Sequence, residues 1–287
     1  MKVLVTGASG LVGGQLFAAS SEYAETYGTY LGQKKEKLIK LDITDAETVF
    51  SAIMKLRPDV IIHTAALTNV DYCETDRKMA WKVNVEGTKN IANVAKAVGA
   101  KLVYISTDYV FDGKYGPYSE DDAPSPINYY GTTKLEAEKI TAAIDKWIIV
   151  RSTWIYDISS DPKNFVRRLI DILSQNREMK VPKDQIANPT LARYLASSIV
   201  ELIRKDFNGT INIAGSTRLS KYDFAKKAAE RFHLDASLIV PVTSEELAQP
   251  ALRPKNCGFK LAKAGRIGLE PETLEESLAR LPEIKLY

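Results

Sequence analysis

The sequence predicts an α/β fold: a doubly wound parallel sheet with a smaller, mixed C-terminal part. Three observations carry that expectation. Short apolar runs alternate with helical patterns through the first half of the chain. Several of those runs, such as "DVIIHTAA" (59–66), lack polar alternation, as strands buried on both faces do. A glycine-rich turn, "TGASGLVG", joins the first strand to the first helix.

In order, "KVLVT" (2–6) reads as a strand and "GLVGGQLFAAS" as a helix. "TYGTYL" (26–31) and "LIKLD" (38–42) follow as strands, and 45–57 as a helix stopped by Pro58. After the strand at 59–66, Ala80, Val83, Gly87, Ile91, Val94 and Val98 form one apolar stripe, and Gly99 ends that helix. "KLVYIST" (101–107) and "WIIVRSTW" (147–154) are strands on either side of a helix that begins near Tyr129. Beyond 155 the pattern loosens: helices are expected at 164–176, 190–205, 220–232 and 273–281, with a strand at 210–215. Residues 1–153 with roughly 190–215 are read as the dinucleotide-binding part. Roughly 154–189 and 216–287 are read as the part that closes over the strand ends, where ligands bind in such folds.

The chain has 287 residues and a formal net charge of +3. That excess is too small to argue for nucleic acid or a membrane surface. No run approaches the roughly 18 apolar residues of a span, and the N-terminus does not read as a signal peptide. Cys73 and Cys257 form no metal-type pair, and His63 and His233 stand alone, so no metal is expected. A cytoplasmic protein, monomer or homodimer, is the expectation.

Gly7, Gly10 and Gly13 allow a tight turn and close backbone approach to a pyrophosphate at a helix N-terminus. Ser9, Leu11 and Val12 go to the cofactor with that turn, as do Ile43, Ala65 and Ala66 after later strands. No acid ends the second strand; Lys34 and Lys35 follow it. That favours NADPH, with NADH possible. Asp42 could contact the adenine edge or cap the helix that starts near Asp45.

In "NYYGTTK" (128–134), Tyr130 and Lys134 are four apart and share a helix face; Tyr129 does not. An ammonium near a phenol lowers its pKa, so Tyr130 could exchange a proton with a carbonyl oxygen. Ser106 or Thr107, at the end of the fifth strand, could hold that oxygen.

These residues resemble the extended short-chain dehydrogenase/reductases, whose dinucleotide fold is Rossmann-type. More closely they resemble the dTDP-4-dehydrorhamnose reductase branch. The likeness rests on "TAALTNVDYCE" (64–74), "STDYVFDG" (106–113), "NYYGTTKLEAEK" (128–139), "VRSTWIY" (150–156), "DQIANPT" (184–190) and "RPKNCGF" (253–259). It implies reduction of the C4 ketone of a nucleotide-linked 6-deoxy-4-keto sugar. Thr107 is then the hydroxyl, Tyr130 the proton donor, and Lys134 the residue that binds the nicotinamide ribose. It further implies Thr68, Asp108, Tyr109, Trp154 and Arg253 at the sugar nucleotide, with Asn84 as support and Asn256, Gln185 and Asn188 nearby. His63 stands where many relatives have asparagine and is read as a residue that packs or bonds to backbone, with no chemistry of its own. The competing readings are a nucleotide-sugar 4-epimerase and a non-catalytic dinucleotide-binding subunit like the β subunit of methionine adenosyltransferase.

Overall fold

A computed structural model describes residues 1–32, 36–158 and 164–282. The first strand, β1 (Lys2–Thr6), leads through the glycine turn into α1 (Leu11–Ser21). Next come β2 (Glu25–Tyr30), β3 (Leu38–Lys40), α2 (Ala46–Leu56) and β4 (Val60–His63). Asp45 caps α2 by accepting from Thr48 N, and Arg57 closes it in the left-handed region just before Pro58. Two short helices, α3 (Val70–Thr75) and α4 (Arg77–Trp81), precede a π turn at Lys82–Glu86 that runs on into α5 (Gly87–Val98). The apolar stripe expected of one helix thus crosses a π turn, which inserts an extra residue without interrupting the helix. Gly99, at φ 72°, ends α5. Strand β5 (Lys101–Thr107), α6 (Tyr129–Ala142) and β6 (Trp147–Ser152) complete the first half.

Within the described residues one seven-stranded sheet forms. Its order is Gly209–Asn212, β6, β5, β4, β1, β2, β3, and every pairing is parallel. The chain moves outward from β1 to one side and then to the other, which is the Rossmann-type winding. Alternate side chains face opposite layers. Val3, Val5, Ile62, Val103 and Val150 pack toward α1 and the helix Ala192–Arg204. Leu4, Ile61 and Leu102 pack toward α2 and α5, against Ile53 and Ile91. Each such buried side chain contributes about 1.5–3 kcal/mol, so a sheet apolar on both faces is stable only between two helical layers.

The second half adds helices Phe165–Leu173, Lys221–Arg231 and Leu274–Ala279, each shorter than its sequence pattern suggests. It also holds small pairings that the sequence pattern does not reveal. Ile239–Val242 lies parallel to Met179–Pro182, Ile155–Tyr156 lies parallel to Thr190–Leu191, and Leu219–Ser220 runs antiparallel to Ile186–Ala187. No helix of the described residues is long and apolar enough to cross a membrane.

Candidate active site at the carboxyl ends of the strands

In-register pairing sets the geometry. Thr6 lies opposite His63, His63 opposite Tyr104, and Thr107 opposite Ser152. The segments after β1, β4, β5 and β6 therefore meet at one end of the sheet. Most of the residues singled out in the sequence lie there.

The glycine turn is built by close approach. Gly7 has φ 70°, and a Cβ there would sit 2.9 Å from the Ala65 backbone. A Cβ on Gly13 would lie 2.2 Å from the Gly7 carbonyl oxygen. Gly10 caps α1 with no side-chain hydrogen bond, so the backbone of Leu11 and Val12 opens the helix with its N–H groups uncapped by a side chain. Ser9 is partly buried beside Gly10. This cradle, small and rich in donors, fits a dinucleotide pyrophosphate.

Around it, the residues expected at the cofactor separate. Ala65 N lies 3.4 Å from Thr6 Oγ1, and Ala65 and Ala66 are partly buried beside the turn. Ile43 is buried in the core, with its side chain against Gly87. Asp42 does not cap α2, since Asp45 does; its Oδ1 accepts from Thr44 N at 2.9 Å and Thr44 Oγ1 at 2.8 Å. Lys34 and Lys35 lie outside the described residues.

Asn128 caps α6, its Oδ1 accepting from Gly131 N at 2.8 Å. Gly131 is needed here because a Cβ would fall 2.1 Å from the Tyr109 carbonyl oxygen. The start of α6 is thereby pressed against the turn after β5. Tyr130 meets Tyr109 edge-on, with ring centroids 6.0 Å apart. Tyr129 instead lies under the Arg77 guanidinium at 5.0 Å, on the outer side. Lys134 is buried; its Nζ donates to the Ile105 carbonyl at 2.6 Å and sits 4.1 Å from the centre of the Tyr104 ring.

Ser106 and Thr107 part ways. Ser106 Oγ donates to Glu138, whose carboxylate also takes Arg151 Nη2 at 2.7 Å and Nε at 3.0 Å. This buried ion pair locks α6 to β6 and occupies Ser106. Thr107 Oγ1 accepts from Tyr109 N at 3.2 Å and lies 3.2 Å from Asp108 Oδ1.

Electrostatics differ from the sequence expectation. Burial pushes the Tyr130 phenol up, the neighbouring Cys73, Asp108 and Tyr109 add to that, and Thr107 offsets part of it. Burial lowers Lys134 to about 7, against the pull of Glu138. The lysine does not bring the phenol down, because its ammonium is turned onto the Ile105 carbonyl and desolvation dominates both groups. Tyr130 is thus a protonated phenol at neutral pH. Burial also raises Asp108 to about 6, with the Thr153 and Thr107 hydroxyls opposing.

Trp154, at φ 39°, is a left-handed non-glycine residue, a conformation found where surrounding structure imposes it. Its ring stacks with Phe224 at 6.5 Å, and Lys221 Nζ lies 5.4 Å from its centre. Lys221 is a neighbour of Asp108, Arg253 and Arg168 that nothing in the sequence pattern marked; burial and the two arginines lower it to about 8. Arg253 donates to Asp71 Oδ2 at 2.8 Å and to the Ala251 carbonyl at 2.6 Å, pinning the C-terminal loop to α3.

Support residues account for the rest. Asn84, in the π turn, accepts from Leu67 N at 2.8 Å and donates to Leu67 O at 3.1 Å and Thr133 Oγ1 at 3.0 Å. It thereby fixes the backbone next to Thr68, which is exposed. His63 bonds to the hydroxyls of Thr6 and Thr88, side chains rather than backbone, and burial lowers it to about 3, so it is neutral. Asn188 holds Phe259 N and Gly215 O, Gln185 donates to Ser244, and Asn256 pairs with Arg218; these are structural pegs.

A family model, the RmlD substrate binding domain, matches residues 1–284. The chain belongs to that family, which includes the dTDP-4-dehydrorhamnose reductases. Among its relatives, a dTDP-4-dehydrorhamnose reductase of Streptomyces griseus is 36% identical over 276 residues, covering 93% of this chain and 88% of the relative. Methionine adenosyltransferase 2 subunit beta of Mus musculus is 32% identical over 283 residues, covering 95% and 84%. Among solved structures, dTDP-4-dehydrorhamnose reductase from Bacillus anthracis in complex with NADP superposes with a TM-score of 0.89. It is 35% identical, and 98% of each chain is covered.

Proposed function

We propose that this family member reduces the C4 ketone of a nucleotide-linked 6-deoxy-4-keto sugar, with dTDP-4-dehydrorhamnose as substrate and dTDP-L-rhamnose as product. The observation that carries the reading is the meeting of Thr107, Tyr130 and Lys134 at the sheet end that also bears the glycine turn. Residues 1–153 with 190–215 hold the dinucleotide; 154–189 and 216–287 hold the sugar nucleotide.

NADPH, when bound, supplies the hydride to the carbonyl carbon. Around it, the backbone donors at the start of α1 hold the pyrophosphate, and Lys134 holds the nicotinamide ribose. Tyr130, kept protonated by burial, gives its phenolic proton to the ketone oxygen as charge develops there. Thr107 offsets part of the effect of burial on that phenol and so eases the loss of its proton. Trp154 and Tyr109 face the apolar side of the deoxysugar, while Thr68 and Asp108 read its polar edge. Lys221 and Arg253 supply positive charge suited to the diphosphate.

A second reading is favoured by one observation, the similarity to the mouse β subunit: the chain binds a dinucleotide and modulates a partner without turnover. Nicotinamide absorbance separates the two, using dTDP-, UDP- and GDP-linked 4-keto-6-deoxy sugars with NADPH and then NADH. Oxidation of NADPH fastest with the dTDP sugar supports the reductase. Dinucleotide binding without oxidation by any sugar supports the subunit.

A further inference from the structure

Lys134 is 4% exposed, yet no carboxylate pairs with it among the described residues. Glu138, one turn further along α6, is committed to Arg151 Nη2 at 2.7 Å, Arg151 Nε at 3.0 Å and the Ser106 hydroxyl. A buried charge without a partner is costly. Two contacts offset that cost: the Ile105 carbonyl, 2.6 Å from Nζ, and the face of the Tyr104 ring, whose centre is 4.1 Å away. An aromatic face carries partial negative charge, and its attraction for a cation is strongest where water is excluded. Tyr104 is 1% exposed, and its hydroxyl has no hydrogen-bond partner among the described residues. The site thus uses the ring rather than the phenol.

We propose that Tyr104 is a positioning residue of the dinucleotide site: its ring face stands in for a counterion and holds the Lys134 ammonium against β5. This rests on the reading of Lys134 as the residue that holds the nicotinamide ribose. An ammonium has three donors. The Ile105 carbonyl takes one and the ring face receives another, so one is left to meet a ribose hydroxyl. Because Tyr104 and Ile105 are consecutive residues of β5, a single strand fixes the ammonium from two directions. Without the negative ring face the lysine gives up its proton more readily, and the ribose loses a charged donor.

The ionisable groups facing Lys134 are Tyr130 and Glu138 on α6, Cys73 on α3, His63 on β4 and Tyr104 on β5. Burial keeps Tyr130 and Tyr104 protonated, raises Cys73 to about 11 and lowers His63 to about 3. Glu138 is engaged by Arg151. Lys134, lowered to about 7 by burial, is the group among them that titrates near neutrality. A weaker ring face lowers it further.

The test replaces Tyr104 with phenylalanine and then with mono-, di- and trifluorophenylalanine, which withdraw negative charge from the ring face at nearly constant shape. Tyr104→Leu serves as a variant without a ring. Two readouts are taken on the full chain: NADPH affinity across pH, and the Lys134 titration by carbon NMR of its Cε, assigned by its absence in Lys134→Met. Tyr104→Phe keeps the ring face and should retain wild-type affinity within about twofold. Affinity at pH 7 should then fall stepwise with fluorination, by about fivefold at the end of the series, with the Lys134 titration moving downward in step. Tyr104→Leu should lose at least as much. The differences should close at high pH, where the lysine is neutral in every variant. A flat response in folded variants overturns the proposal, as does a loss that persists at high pH, the mark of a packing defect. A wild type that reduces no keto sugar overturns the reductase reading instead, since neither readout depends on turnover.

Discussion

Lys134 Nζ lies 2.6 Å from the carbonyl oxygen of Ile105, so the buried lysine is tethered to strand β5, two residues before Thr107. That tether places the charge one helical turn from Tyr130 and removes it from water. Burial then lowers Lys134 to about 7. A lysine whose folded pKa is depressed binds fewer protons folded than unfolded between about 7 and its ordinary value. Wild-type stability therefore rises with pH over that window. Lys134→Met should melt higher than wild type at pH 6–7, and the gap should narrow as pH approaches 10. Tm measured across pH for both proteins checks this; a gap that widens with pH contradicts it.

The glycine turn makes a steric prediction. Gly13→Ala places a Cβ 2.2 Å from the Gly7 carbonyl oxygen, whereas at Gly10 the nearest atom to such a Cβ is 3.4 Å away. Gly13→Ala should weaken dinucleotide binding by at least about tenfold, since the turn must open to admit the methyl. Gly10→Ala should leave the melting temperature near wild type. Dinucleotide titration followed by NADPH fluorescence, with thermal melts alongside, checks both.

Asn84 makes three hydrogen bonds from a buried position, two to Leu67 and one to Thr133. Asn84→Ala leaves the Leu67 backbone groups without that partner and should cost about 2–4 kcal/mol. Because Thr68 follows Leu67, KM for the sugar nucleotide should rise as well. Urea unfolding and steady-state kinetics check the two effects separately.

Lys221 stands between the Trp154 and Phe165 rings at 5.4 and 5.1 Å and offsets part of the Asp108 burial. Lys221→Met should raise KM for the diphosphate-bearing substrate by about tenfold, with little change in NADPH affinity. It should also move the Asp108 titration upward from about 6. Lys221→Arg should retain most of the affinity. An unchanged KM in Lys221→Met would remove this residue from the sugar-nucleotide site.

Much of this was legible in the sequence because it is local. The glycine turn, the unalternating strands, and the four-residue step from Tyr130 to Lys134 are written in neighbouring residues. What escaped is set by distance or by environment. The pairing of Met179–Pro182 with Ile239–Val242 joins segments far apart, each containing a proline. The π turn at Lys82–Glu86 keeps its apolar residues at helical steps and so looks like ordinary helix. Lys221 opens a helix that the sequence places at 220–232, but the aromatic rings around its ammonium come from two other segments. The choice between Ser106 and Thr107 was open on residue type alone. The family resemblance implies Thr107, and the buried network in which Glu138 and Arg151 engage Ser106 favours the same choice. Burial raises the Tyr130 phenol where the sequence alone predicts lowering, because desolvation cannot be seen in a sequence.

The central claim is that Tyr130 donates the proton. The most direct measurement is single-turnover oxidation of NADPH with dTDP-4-keto-6-deoxy-L-mannose, in wild type and Tyr130→Phe. Removal of the acid should slow the chemical step by about 10²–10⁴-fold while NADPH still binds. A phenylalanine variant that oxidises NADPH at the wild-type rate would contradict the account.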